Sequence, residues 1–342
     1  MAGLRAALGL TLAAAVAAEP RLVERSRPAM GSSLSIAVWA DDEPRAAAAI
    51  ERAFVEFDRL EALMTVWRET SDIARLNAAA GRRPVLVAPE VRQALRAARR
   101  VSEWTGGKFD VTFGALAGLW KFDHDQDDRI PDPAEVRRRL PLVDYRDLVV
   151  DERVGTAFLR RKGMRAHLGG IGKGFAVDRV VAILREAGLR DFFVQAGGDL
   201  YVSGRRGDRA WRVGIRDPRG PEDRYFATLD LADSAFSTSG DYERFFFDRG
   251  RRYHHILDPT TGEPARGCRG VTILAPDATT ADGLSTGVFL LGPKDGMALV
   301  ERLPGVAAVI VDDRNRVIVS SGLRDRLGQV QRWPPAAGGR CG

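Results

Sequence analysis

The sequence predicts an α+β fold, with mixed, largely antiparallel sheets and helices packed on them. Helical spacings dominate the first hundred residues, the strands predicted after residue 190 are mostly sequence neighbours separated by turn residues, and the chain closes on a hairpin. Neighbouring strands pair antiparallel through short turns, whereas a doubly wound parallel sheet needs a helical crossover between successive strands. The length of 342 residues, 45% of them hydrophobic and 29% charged, suits a globular chain with a sizeable core. The formal charge of +6 is spread through short arginine runs such as Arg137-Arg138-Arg139 and Arg205-Arg206. No nucleic-acid motif or stacking platform accompanies it, so nucleic acid is not an expected partner.

Taken in order, Arg5 precedes an apolar run from Ala6 to Val16 that closes on Ala17-Ala18, the layout of a secretory signal over residues 1–18. The run is shorter than a bilayer span and no cysteine follows it, so the expectation is export to the periplasm without a lipid anchor at that site. Ser33 to Trp39 alternates as a strand, and Ala46 to Met64 carries apolar residues at helical spacing. Pro89 opens a second amphipathic helix through Val91, Leu95, Ala98 and Val101, which stops at Gly106-Gly107. The polar stretch from Asp123 to Arg139, with Pro131 and Pro133, reads as an exposed loop.

A helix is then predicted from Phe175 through Val177, Val180, Val181 and Leu184 to a stop at Gly188, and the strand Phe192 to Val194 follows it. Further strands are expected at Trp211 to Ile215, Tyr225 to Leu231, Tyr253 to Leu257 and Val271 to Leu274. The closing hairpin joins Ala307 to Val311 with Val317 to Ser320 across Asp312-Asp313-Arg314-Asn315. Residues 329–342 are expected to be a disordered tail. Two cysteines, Cys268 and Cys341, and four histidines leave no structural zinc spacing, and an oxidising compartment permits the cysteines to pair without requiring it.

The segment Asp282-Gly283-Leu284-Ser285-Thr286 puts a carboxylate and a hydroxyl one helical turn apart, on one face. Oxygen donors in that arrangement suit a hard cation such as Mg²⁺, which bridges to substrate phosphates. The same pair also fits a helix N-terminal charge with an interior hydroxyl. Gly169-Gly170-Ile171-Gly172-Lys173-Gly174, just before a helix, would let backbone N–H groups, the helix end and Lys173 approach an anion, or would let two helices pack closely. It is neither a Walker A loop nor G-x-G-x-x-G. Gly107-Lys108-Phe109-Asp110-Val111-Thr112 fits either a ligand-contacting turn or a helix cap with an Asx turn. Ser237 to Tyr242 reads as a hydroxyl-rich bend, and His254-His255 stands before the turn Asp258-Pro259, where a histidine can serve as a base.

Those motifs occur together and in order. With Met30-Gly31-Ser32, the Leu63-Met64-Thr65 to Leu76-Asn77 segment, Ala196-Gly197-Gly198-Asp199, Thr238 to Tyr242, His255 to Gly262 and Ala281 to Thr286, the chain from Met30 to about Gly322 resembles the FAD:protein FMN transferases, the ApbE-like flavin transferases. The resemblance implies that residues 19–328 adopt that family's fold. It also implies a Mg²⁺-dependent enzyme that splits FAD, moves FMN onto a Thr or Ser hydroxyl of an exported protein and releases AMP.

Acceptors of this type resemble flavin-carrying subunits of Rnf- and Nqr-type redox complexes, so membrane association is expected only through the partner. Carried over by motif, Gly170, Asp282, Ser285 and Thr286 would hold the metal. Met30, Phe109, Asp110, Thr112, His167, Lys173, His255 and Ile256 would line the flavin site, with His255, Lys173 and Asp282 catalytic. Two departures are His167 where the family commonly has Asp, and Gln195 where it frequently has Asn. The alternatives left open are an FAD pyrophosphatase giving FMN and AMP, and a non-catalytic flavin binder.

Overall fold

The computed structural model describes residues 19–328 apart from His124, so the expected signal segment, the tail from residue 329 and Cys341 lie outside the described residues. The chain opens with β1 (Arg21–Ala29) and β2 (Ser32–Ala40), an antiparallel hairpin with Arg21 opposite Ala40 and Ala29 opposite Ser32. Its two-residue turn holds Met30 at φ 45° and Gly31 at φ 68°, both left-handed as a tight hairpin of this handedness needs. For Met30 that conformation costs about 1–2 kcal/mol. A hydrogen bond from the Met30 N–H to Glu61 Oε2, at 3.1 Å, helps hold it there.

The next elements are α1 (Glu43–Met64), α2 (Asp72–Ala78), β3 (Val85–Leu86), α3 (Pro89–Trp104), α4 (Pro133–Arg139), β4 (Leu148–Asp151), β5 (Thr156–Leu159) and α5 (Gly172–Glu186). Then come β6 (Phe192–Ala196), β7 (Asp199–Ser203), β8 (Trp211–Arg216), β9 (Tyr225–Leu231), β10 (Ser234–Gly240), β11 (Phe245–Asp248) and β12 (Arg251–His254). The chain ends with β13 (Cys268–Ala275), α6 (Ala278–Val300), β14 (Ala307–Asp312) and β15 (Val317–Val319). Eight strands form the main sheet in the order β1-β2-β6-β7-β10-β13-β14-β15. Every pair in it is antiparallel.

Both faces of that sheet are covered, and period-2 alternation sorts the side chains between them. Ala235, Ile273, Ala308 and Ile310 join the core under α1, α3, α5 and α6, while Phe236, Leu274, Val309 and Val311 face the β8–β9 hairpin. A smaller aromatic cluster of Trp120, Phe122, Phe246 and Tyr253 stacks beside the helical layer. α6 follows β13 at once, capped by the Asp277 side chain accepting from the Thr280 N–H, and breaks at Gly292 (φ 79°) before Pro293, which cannot donate to the helical ladder.

Three local readings change. The exposed stretch from Asp123 to Arg139 contains α4, with Asp132 as N-cap and Pro133 in its first turn. The hydroxyl-rich bend at Ser237 is strand β10, where Ser237 and Ser239 point one way off the sheet and pair across from Ile273 and Val271. The strand expected through Leu257 stops at His254. Among the described residues no helix is long and apolar enough to cross a membrane. Cys268 is buried, and burial pushes its thiol up to about 12.

Candidate active site

A cleft of about 540 Å³ opens between the β1–β2 turn, the end of α1, the start of α5 and the segment at Phe122-Asp123. Met30, Glu61, Trp67, His167, Lys173 and Arg244 are among its lining residues. Its volume falls in the range usual for small-molecule sites. A hollow of about 70 Å³ beside Arg96 and Tyr145 holds none of the candidate residues.

The glycine run makes the foot of the cleft. Gly169, Gly172 and Lys173 line it, so the amino end of α5 faces the space where an anion is favoured by the helix dipole. Lys173 Nζ lies 2.8 Å from Asp199 Oδ2, and Asp199 Oδ1 accepts from Ser237 Oγ at 2.5 Å. Burial works against the ammonium, but Asp199 and Asp282 outweigh it and Lys173 stays charged with its pKa raised.

One residue on, α5 meets α6. The Gly174 N–H donates to Asp282 Oδ2 at 2.9 Å, and a Cβ on Gly174 would stand 2.2 Å from the Ala278 carbonyl oxygen and 2.6 Å from Asp282 Cβ. Gly174→Ala is therefore expected to lower stability by about 1–3 kcal/mol, the usual range for overpacking, read as a lower denaturant midpoint with an unchanged slope. A midpoint equal to that of the unsubstituted chain would mean the helices separate without cost.

Asp282 begins a row of oxygens. Ser285 Oγ donates to the Asp282 carbonyl at 2.9 Å and lies 2.7 Å from Ser239 Oγ, which is 3.1 Å from Thr286 Oγ1. A Cβ on Gly170 would stand 3.3 Å from Thr286 Oγ1 and 3.2 Å from Phe109, so Gly170, Thr286 and Phe109 meet at one point. Burial, then the charge of Asp199, raise the Asp282 carboxyl well above its usual range, with Lys173 and the Gly174 N–H only partly opposing.

Among the described residues the Asp282 carboxylate accepts only from the Gly174 N–H, through Oδ2, which leaves Oδ1 open. An open carboxylate oxygen in excess negative charge, with hydroxyls alongside, is a donor set that fits a hard divalent cation keeping some of its waters. No group of three or more His, Cys, Asp or Glu is gathered for a metal among the described residues. The oxygens gathered there are thus one carboxylate and the hydroxyls of Ser239, Ser285 and Thr286.

The two histidines part company. His254 is committed to structure, its Nε2 2.9 Å from the Ala265 carbonyl and its Nδ1 accepting from the Ile256 N–H. Among the described residues His255 Nδ1 is buried without a hydrogen-bond partner, and burial, then the charges of Arg244, His254 and Lys173, lower its pKa to about 3. The ring is neutral at physiological pH and can accept a proton. Its segment is tied to the 106–112 turn by Lys108, whose Nζ lies 2.8 Å from Asp258 Oδ2 and 2.9 Å from Thr260 Oγ1.

Met30, His167 and Lys173 thus line the cleft, and Gly170, Asp282, Ser285 and Thr286 converge behind Lys173. Ile256 is buried beside His255. Asp110 and Thr112 are engaged elsewhere: Asp110 accepts from the Thr112 hydroxyl at 2.6 Å and the Tyr145 N–H at 2.7 Å, and Thr112 Oγ1 accepts from the Asp144 N–H at 2.8 Å. His167 Nδ1 accepts from the Gly169 N–H at 3.0 Å, which leaves Nε2 to carry the proton of the neutral ring. Burial, with Arg244 and Arg165, lowers its pKa although Asp123 opposes, so His167 enters the cleft as an uncharged donor.

Sequence reading missed Asp199, Ser239, Glu61 and Arg244 as site residues. Asp199 and Ser239 lay inside quoted motifs, whereas nothing local distinguishes Glu61 or Arg244 from other surface charges.

Residues 30–310 match the ApbE family. The chain is 36% identical over 295 residues to an FAD:protein FMN transferase of Treponema pallidum, covering 82% of this chain and 81% of that one. It superposes on the ApbE protein of Thermotoga maritima with a TM-score of 0.81 at 35% identity, covering 89% of this chain and 98% of that one. The flavin transferase ApbE of Vibrio cholerae is similar at 27% identity, with a TM-score of 0.80 over 90% of this chain and 99% of that one.

Proposed function

The chain belongs to the ApbE family and is an FAD:protein FMN transferase, and from that premise we propose that it requires Mg²⁺, moves FMN onto a Thr or Ser hydroxyl and releases AMP. The observation that carries the finer reading is that the Asp282–Ser285–Thr286 oxygens are joined to the start of α5 through the Gly174 N–H, one residue beyond Lys173, whose ammonium feels the charge of Asp282 and lines a cleft that also holds neutral His167. Asp282 and Thr286, with Ser285 and the Gly170 carbonyl, would hold Mg²⁺. Bound there, the ion would offset charge developing on pyrophosphate oxygens.

The chain's own residues supply the rest. Lys173 and the amino end of α5 hold the phosphates and orient the FMN phosphorus, so that positioning and fixed charge lower the barrier. The acceptor oxygen bonds to that phosphorus as the bond to the bridging oxygen breaks, and AMP departs with the bridging oxygen. His255 takes the hydroxyl proton. Met30 and Phe109 give apolar surface to the flavin side, and Trp67 stands at the rim, 58% exposed.

We further propose that the acceptor is an exported flavoprotein, a flavin-carrying subunit of an Rnf- or Nqr-type or related redox complex, met in the periplasm after removal of residues 1–18. Incubation with FAD, Mg²⁺ and a candidate acceptor domain is expected to add one FMN mass per acceptor, with an equal amount of AMP. AMP formed at the same rate with no acceptor present would instead make the chain an FAD pyrophosphatase.

A further inference from the structure

We infer that Arg244 is a second anion-holding residue of the cleft, stored against Asp123 and released to the diphosphate of FAD, so that it sets how tightly phosphate-bearing flavins are held. The inference rests on the transferase reading for the identity of the anion.

Arg244 sits between β10 and β11, and its carbonyl accepts the His255 N–H at 3.1 Å, which fixes its backbone beside the candidate base. Its guanidinium lines the cleft together with Lys173 and His167, and lies 3.6 Å from where a Cβ on Gly31 would stand. Its charge disfavours the protonated forms of His167, Lys173 and His255 alike, which places it within electrostatic reach of all three.

The two cations of the cleft are held very differently. Lys173 pairs with Asp199, whose side chain is 4% exposed and which Ser237 also fixes. Arg244 pairs with Asp123, and the two side chains are 43% and 35% exposed. Asp123 is the only partner of the Arg244 guanidinium among the described residues. Ion pairs at that exposure contribute little, because solvent screens the attraction and two long side chains must be ordered. A phosphate offers the guanidinium fork a bidentate partner and more charge than a lone carboxylate. Asp123 is thus an intramolecular competitor that the diphosphate displaces, and it neutralises the cleft mouth until then.

The test compares FAD, FMN and riboflavin, which carry a diphosphate, one phosphate and none, by flavin fluorescence on the full chain in Mg²⁺-free buffer. Arg244→Met is expected to weaken FAD and FMN by about 10- to 100-fold, the range for losing a charged hydrogen bond, and riboflavin by less than about 2-fold. Asp123→Asn is expected to tighten FAD by about 2- to 5-fold, and to have no effect when Arg244→Met is also present. Equal losses for FAD and riboflavin would overturn the inference in favour of a packing role, as would an Asp123→Asn gain that persists without Arg244. Should Arg244→Met fail to fold, Arg244→Lys keeps the charge without the fork and is expected to lose FAD affinity selectively by a smaller factor. A native chain that binds none of the three flavins would instead overturn the transferase reading.

Discussion

Asp282→Asn is expected to reduce flavin transfer by about 10³-fold or more, a loss of several kcal/mol of charge stabilisation, while the protein stays folded and gains stability in metal-free buffer. The two effects have one origin. Burial and the nearby Asp199 hold the Asp282 carboxyl well above its ordinary 3.8. A carboxyl whose pKa is higher folded than unfolded takes up protons on folding, so the stability it contributes is present below the unfolded value and falls as pH rises through the window up to the folded one. Ionising the group inside the metal-free fold is therefore a liability, and the amide removes it while still accepting from the Gly174 N–H.

Mg²⁺ should reverse the ranking. An ion that binds only the native chain stabilises it by about 2.7 kcal/mol at a hundred times its dissociation constant. The melting temperature of the unsubstituted chain should climb with Mg²⁺ and that of Asp282→Asn should not. Equal Mg²⁺ shifts in both proteins would remove Asp282 from the metal site whatever the activity showed.

His255→Gln is expected to lower kcat by about 10²- to 10⁴-fold, the usual worth of a positioned base. Its pH signature is the more telling part. With a folded value of about 3, His255 is unprotonated across the physiological range, so kcat/KM should show no acid limb near 6.5 from this residue. A base so far below the working pH is a weak one, and the entering diphosphate, by placing negative charge next to Arg244 and Lys173, should draw the value up in the complex.

The acid limb in kcat is therefore expected to lie above that in kcat/KM. One limb at the same pH in both profiles, abolished by His255→Gln, would contradict this account of the cleft. Linkage adds a second readout. A histidine with a depressed folded pKa contributes stability that is present above its unfolded value of about 6.5 and lost as pH falls towards 3. His255→Gln should lack that component and be the less acid-sensitive protein.

Periodicity and turn chemistry made most of the fold legible. α1, α3 and α5 announce themselves by apolar spacing and by Gly or Pro at their ends, and the closing hairpin by its Asp-Asn turn. β10 was hidden because Ser and Thr carry as much turn signal as strand signal, and only pairing with β7 on one side and β13 on the other makes its hydroxyls part of a sheet. α4 was hidden by its short length and by prolines that mark a helix start as readily as a loop.

Of the site, the chain by itself determined what a local spacing can encode: Asp282 and Thr286 on one helix face, and a glycine run with a lysine at a helix start. It also determined the order of motifs that identifies the family. Tertiary structure alone decided their partners. Asp199 reaches Lys173 from the next strand pair, Ser239 reaches Ser285 and Thr286 across a sheet–helix contact, and Arg244 meets Asp123 over 121 residues of chain. It also decided protonation, leaving His254 committed and His255 neutral, with its Nδ1 unpartnered among the described residues, although they are adjacent. The reason is physical: spacing along one element fixes which side chains share a face, whereas burial, dielectric and charge depend on the other elements packed against that face.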